Sequence, residues 1–149
     1  MKAIVGIILV TVAILGGAVF LFSGPQESVP EEQIVTRSGL HWHPKLEIFI
    51  KGEKQEIPQD IGLTPVERPI HTHEADGVIH LEFPALAKKD DLKLGQFFKI
   101  WGKEFNSNCI FDKCNGEEGK VKMMVNGKEN QEFENYSMRD GDQIEIRYE

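Results

Sequence analysis

Histidine is missing from most of this chain: none occurs before position 41 or after position 80. The sequence also has no nucleophile elbow, no glycine-rich phosphate loop and no His-Glu-x-x-His helix, so the signatures of serine hydrolases, P-loop proteins and zincin proteases are absent. Positive charge is not in excess. The net charge is −7 with acidic and basic residues interspersed, which argues against phosphate-backbone binding and makes nucleic acid an improbable partner. Cysteine is scarce. The only two, Cys109 and Cys114, flank Ile-Phe-Asp-Lys, and in an outward-facing domain they read as a disulfide stapling a short loop. Thiolate ligation of copper or zinc is the alternative for that pair.

The amino-terminal stretch lacks charge. From Ala3 to Phe22 the run is apolar throughout, long enough to cross a bilayer as a helix. It ends Phe20-Leu21-Phe22-Ser23-Gly24-Pro25, with bulky residues where a signal peptidase needs small ones, so a retained anchor is expected over a cleaved signal. There is no cysteine near its end to carry a lipid. Lys2 precedes the run and Glu27, Glu31 and Glu32 follow it, which puts the amino end in the cytoplasm and the remainder outside. The expected organisation is a signal anchor over residues 1–24, a linker over 25–38 and one extracytoplasmic domain over 39–149, in a single-pass protein of the cell membrane. Asn135-Tyr136-Ser137 is a glycosylation sequon compatible with that side.

What the domain does have is five histidines in two repeats of one spacing, His41-Trp42-His43 and His71-Thr72-His73, with His80 close behind. Side chains alternate along a strand, so a His-x-His triplet in extended chain puts both imidazoles on one face, where they can share an ion. From Leu40 to Ile50 the pattern turns Trp42, Leu46, Ile48 and Ile50 one way and His41, His43, Lys45 and Glu47 the other. Pro44 has no amide donor and places that stretch at a sheet edge or bulge. Val78 to Phe83 alternates likewise, with Ile79, Leu81 and Phe83 towards the core and His80 and Glu82 opposite. If the two strands pair, facing side chains stand close enough to bind one ion jointly.

The expected ligands are therefore His41, His43, His71, His73 and His80, three or four at a time. Glu47, Glu74, Asp76 and Glu82 are the carboxylates near enough to ligate or to orient an imidazole. Imidazole suits copper, zinc, iron and nickel, while calcium and magnesium want oxygen. With no sulfur in the cluster, Cu(II) and Zn(II) rank ahead of Cu(I), copper is placed just before zinc, and iron follows.

The remaining pattern predicts an α+β domain. Strand hairpins turn at Lys51-Gly52 and Asn126-Gly127, a short amphipathic helix carries Leu92, Leu94, Phe97, Phe98 and Trp101, and Gln143 to Tyr148 closes a small, mainly antiparallel sheet. The helix is expected on the sheet's apolar face. The order resembles a β-grasp fold, with a small barrel or sandwich as runner-up. His41-Trp42-His43-Pro44-Lys45-Leu46-Glu47 resembles the His-x-His-x-x-x-Glu motif of cupins, but over those residues only. The later cupin segment is missing, and cupin ligands point into a barrel.

A broader likeness spans Gly39 to the end. The phrases His-Trp-His-Pro, Pro-Ile-His-Thr-His-Glu, Gly-Val-Ile-His-Leu-Glu, Leu-Gly-Gln-Phe-Phe-Lys-Ile-Trp-Gly and Arg-Asp-Gly-Asp-Gln-Ile-Glu-Ile resemble those of uncharacterised membrane-anchored proteins of archaea and actinobacteria. That resemblance implies one outer domain and carries no mechanism. Three functions fit these features: a tethered carrier, buffer or metallochaperone for copper or zinc; a metal-dependent enzyme using the same cluster; or an accessory subunit of a membrane complex whose histidines bridge to a membrane-protein partner or sense pH.

Overall fold

A computed structural model describes residues 29–149, of which Glu31–Glu149 form one compact unit. The expected anchor and the first part of the linker lie outside the described residues. Among those described, no helix is long and apolar enough to cross a membrane.

The domain is mixed α+β with mostly antiparallel sheets and one α-helix. Its strands are β1 (Ile34–Thr36), β2 (Leu40–Trp42), β3 (Lys45–Ile50), β4 (Glu53–Gln55), β5 (Ile70–His71), β6 (His80–Phe83), β7 (Ala87–Lys88), β8 (Cys109–Ile110), β9 (Lys113–Cys114), β10 (Val121–Val125), β11 (Lys128–Glu129) and β12 (Gln143–Tyr148). Helix α1 spans Leu94–Trp101. The larger sheet runs β11-β10-β12-β3-β4, and a three-stranded sheet runs β2-β6-β5. Short ribbons β1-β7 and β8-β9 complete the set.

Two hairpins of one design flank β12. Lys51 and Gly52, then Asn126 and Gly127, have positive φ at both central positions of a two-residue turn, the conformation whose twist matches paired strands. Between the hairpins, β12 lies antiparallel to β10 and parallel to β3. The sheet is mainly antiparallel, as expected, and β3 with β12 is its parallel pair. That pairing joins segments far apart in sequence, and nothing local in either strand signals it.

Leu46 and Ile48 of β3, Met123 of β10, and Ile144 and Ile146 of β12 are buried in one core with Leu94, Phe97 and Phe98 of α1. Gly102 ends the helix in the left-handed conformation, its N–H bonded to the carbonyls of Lys99 and Phe98. The alternation in Val78 to Phe83 also holds: Ile79 and Leu81 are fully buried and Phe83 packs at the core's margin. Burying a side chain such as Leu81 stabilises the fold by about 1.5–3 kcal/mol, and this fixes which face His80 and Glu82 must take.

Cys109 and Cys114 face each other in the β8-β9 ribbon and form a disulfide. No free cysteine remains among the described residues, so thiolate ligation is removed from the alternatives. Asn135 is exposed at the end of a 3-10 turn over Phe133–Asn135.

Candidate metal centre

The three-stranded sheet brings the histidines together. β6 is its middle strand, with His41 of β2 opposite Glu82 on one side and His71 of β5 opposite His80 on the other. The first ladder keeps its register past Trp42 to a bridge between Lys45 and Val78, which sets His43 opposite His80. His43, His80 and His71 thus form a row across three neighbouring chains, with Glu82 and His41 beside it.

Pro44 marks the break between β2 and β3, where the chain leaves the small sheet for the large one. It has no N–H to give, but its carbonyl accepts the Ile79 amide at 2.9 Å. The amide of His43 is held instead by a side chain, donating to Asp140 Oδ1 at 2.8 Å. On the other edge, Thr72 is fully buried and locks the second triplet. Its hydroxyl donates to the Pro58 carbonyl at 2.9 Å and accepts from the Ile61 amide at 3.1 Å. Gly62, with φ +79°, lets the backbone pass so close that an added Cβ would stand 2.6 Å from the Ile70 carbonyl oxygen.

Within this frame the nitrogens converge. His41 and His43 place their Nε2 atoms 3.1 Å apart, and His71 and His73 repeat that spacing at 3.1 Å. Two nitrogens bound to one ion at zinc-like distances are separated by roughly 2.9 Å at a right angle and 3.3 Å at the tetrahedral angle, so both pairs have the bite of chelating ligands. The His71 Nδ1 lies 2.9 Å from the Arg68 carbonyl, the second bond that orients a ligating imidazole and leaves Nε2 for the ion. Glu82 Oε1 stands 3.0 Å from His41 Nε2, 3.7 Å from His80 Nδ1 and 3.8 Å from His71 Nε2.

Two groups of donors result, each with ligand atoms within 4.8 Å of one another: His71, His73, His80 and Glu82, and His41, His43 and His80. Either could hold a metal ion. The fit is strongest at His80, whose buried Nδ1 has no hydrogen-bond partner. Glu82 is too distant to serve at 3.7 Å. An orphaned buried nitrogen costs about 1–3 kcal/mol, a deficit that a bound ion removes. Burial also holds the His80 imidazole below its ordinary pKa, helped by His73, His43 and His71, with Glu82 opposing. The shift favours the neutral ring, the form a metal needs.

The other carboxylates lie elsewhere. Glu47 on β3 turns to Lys54 at 2.6 Å, a bond that holds its carboxyl below the usual range, and it belongs to neither group. Asp76 accepts the Val78 amide at 2.9 Å and shapes the turn before β6, while Glu74 is exposed; both are outside the two groups. Sequence reasoning missed Asp140, Thr72 and Arg68. Asp140 had a signal, the Asp-Gly turn it opens, but its contact with His43 is made only by folding.

No family model matches the chain, and neither the curated proteins nor the solved structures return a match. The functional reading therefore stands on the donor geometry.

Proposed function

We propose that the protein is a membrane-tethered extracytoplasmic carrier or buffer for Cu(II) or Zn(II), binding the ion through His71, His73, His80 and Glu82 with His41 and His43 alongside. The observation that carries this reading is the orphaned, buried Nδ1 of His80 at the meeting point of both donor groups. The all-nitrogen and carboxylate donor set supports copper and zinc over harder cations, and the lack of a free thiol among the described residues disfavours Cu(I). The tether and outward orientation rest on the apolar run and on the resemblance to membrane-anchored proteins of archaea and actinobacteria. The order of the larger sheet, with β3 and β12 parallel at its centre and α1 against the core, supports a β-grasp reading of the domain.

The test is metal retention. The full chain, purified without a histidine tag and loaded in turn with Cu(II) and Zn(II), is expected to keep one of them through dialysis, and the His80→Ala variant to lose it. A parent chain that retains neither ion overturns the proposal. Because ligation needs neutral imidazole, retention should fall as pH drops below about 6.5.

An enzymatic reading has one observation in its favour. A cleft of about 470 Å³ lies beside His41 and Glu82, walled by Leu40, Phe83 and Pro84 with Arg68 at its side. It would admit a small substrate near the ion, with Glu82 as the available base. Its wide mouth and the absence of deep enclosure favour the carrier.

A further inference from the structure

The two donor groups differ in exposure at one ligand. The His41 side chain is 60% exposed and His43 is also open to solvent, whereas in the second group His71 is fully buried beside an exposed His73, and the shared His80 is 20% exposed. Yet the groups are not separate sites. They share His80, and Glu82 lies against both, 3.0 Å from His41 and 3.8 Å from His71.

We propose, resting on the metal-binding reading, that this face is a two-step site: His41 and His43 capture a divalent copper or zinc ion from solution, and the ion passes by way of His80 and Glu82 to His71 and His73. Three features give the transfer its direction. The outer pair can bind without giving up much hydration, so it meets the ion first. The inner group is pre-oriented by the Arg68 carbonyl and the Thr72 lock, so its nitrogens lose less freedom on binding. Its fully buried His71 also meets the ion in a lower dielectric, where the attraction between the ion and the imidazole nitrogen is screened less.

The path is short. The row His43–His80–His71 crosses adjacent chains, each step being about 4.8 Å. At every stage the ion keeps ligands: bonds to His41 and His43 nitrogens break as bonds to His71 and His73 form, while His80 and Glu82 remain. No electron moves and the oxidation state of the ion is unchanged. Because His80 is common to both groups, the two ends hold one ion in succession.

The experiment follows Cu(II) loading of the full chain by stopped-flow quenching of Trp42, which lies between the two outer ligands in sequence, in a Trp101→Phe background. The expected trace has a fast phase proportional to Cu(II) concentration and a slower phase independent of it. The His41→Ala/His43→Ala variant should lose the fast phase and load in a single slow phase. His71→Ala/His73→Ala should keep only the fast phase and bind roughly 10- to 100-fold more weakly. Since His71 is fully buried, the single His73→Ala variant at an exposed position provides the same comparison without opening the core. A single second-order phase in the parent, unimpaired loading by the outer-pair variant, or two Cu(II) ions held at once with distinct paramagnetic resonance signals would each overturn the transfer while leaving metal binding intact. A parent that binds no Cu(II) overturns the copper transfer, and one that retains neither Cu(II) nor Zn(II) removes the metal-binding reading as well.

Discussion

His80 is the residue on which both donor groups depend, and its surroundings make it sensitive to acid. Its pKa is lowered in the folded state, first by burial and then by His73, His43 and His71. The unfolded chain therefore takes up a proton at His80 before the folded one does. The stability it contributes is fully present above the unfolded value near 6.5 and is lost as pH falls from there through the depressed folded value. Chelator-treated protein should show this loss in denaturant titrations, and His80→Gln should flatten it. Glu47 provides the opposite case. It faces the same way as the histidines in the alternating pattern, yet Lys54 holds it, so Glu47→Gln is expected to leave metal retention unchanged, as measured by dialysis against chelator.

The strands that carry the ligands were readable because burial of one face decides the direction of the other. Leu46, Ile48, Ile79 and Leu81 are all buried, and alternation alone then placed His80 and Glu82 on the opposite side. β5 was not readable. Two residues are too few to show an alternation, and this strand exists because β6 pairs with it. What fixes the triplet is likewise remote: Thr72 reaches Pro58 and Ile61 across the loop, and Gly62 admits the Ile70 backbone. Thr72→Val should leave the Ile61 amide without its partner and cost about 1–3 kcal/mol. Gly62→Ala meets both a positive φ and the Ile70 carbonyl, and should cost a similar ~1–3 kcal/mol. Both changes should weaken metal binding along with stability, which unfolding curves and metal titration on the same samples would record.

At the scale of the whole domain, the disulfide and the ligands lie in different parts. The disulfide closes a short ribbon, β8-β9, that contains none of the five histidines. Replacing Cys109 and Cys114 by serine should lower stability by about 2 kcal/mol, the value for so short a loop, and leave metal affinity at the parent level. Core truncation is expected to act more strongly. Ile48→Ala, at a fully buried position between β4 and β12, should cost about 2–5 kcal/mol by chemical denaturation. The mixed α+β class was legible in the hydrophobic periodicities. The centre of the larger sheet was not, because it is made by pairing Lys45 with Gln143 and Ile50 with Tyr148.

That pairing bears on when the protein becomes competent. β3 continues directly from the His41-Trp42-His43 triplet, and its neighbour β12 is among the last parts of the described chain to be synthesised. A nascent polypeptide still lacking β12 cannot seat β3, and long-range closure of this kind is slow. The imidazoles therefore gain a chelating geometry only once the chain is complete, and metal loading would await that point.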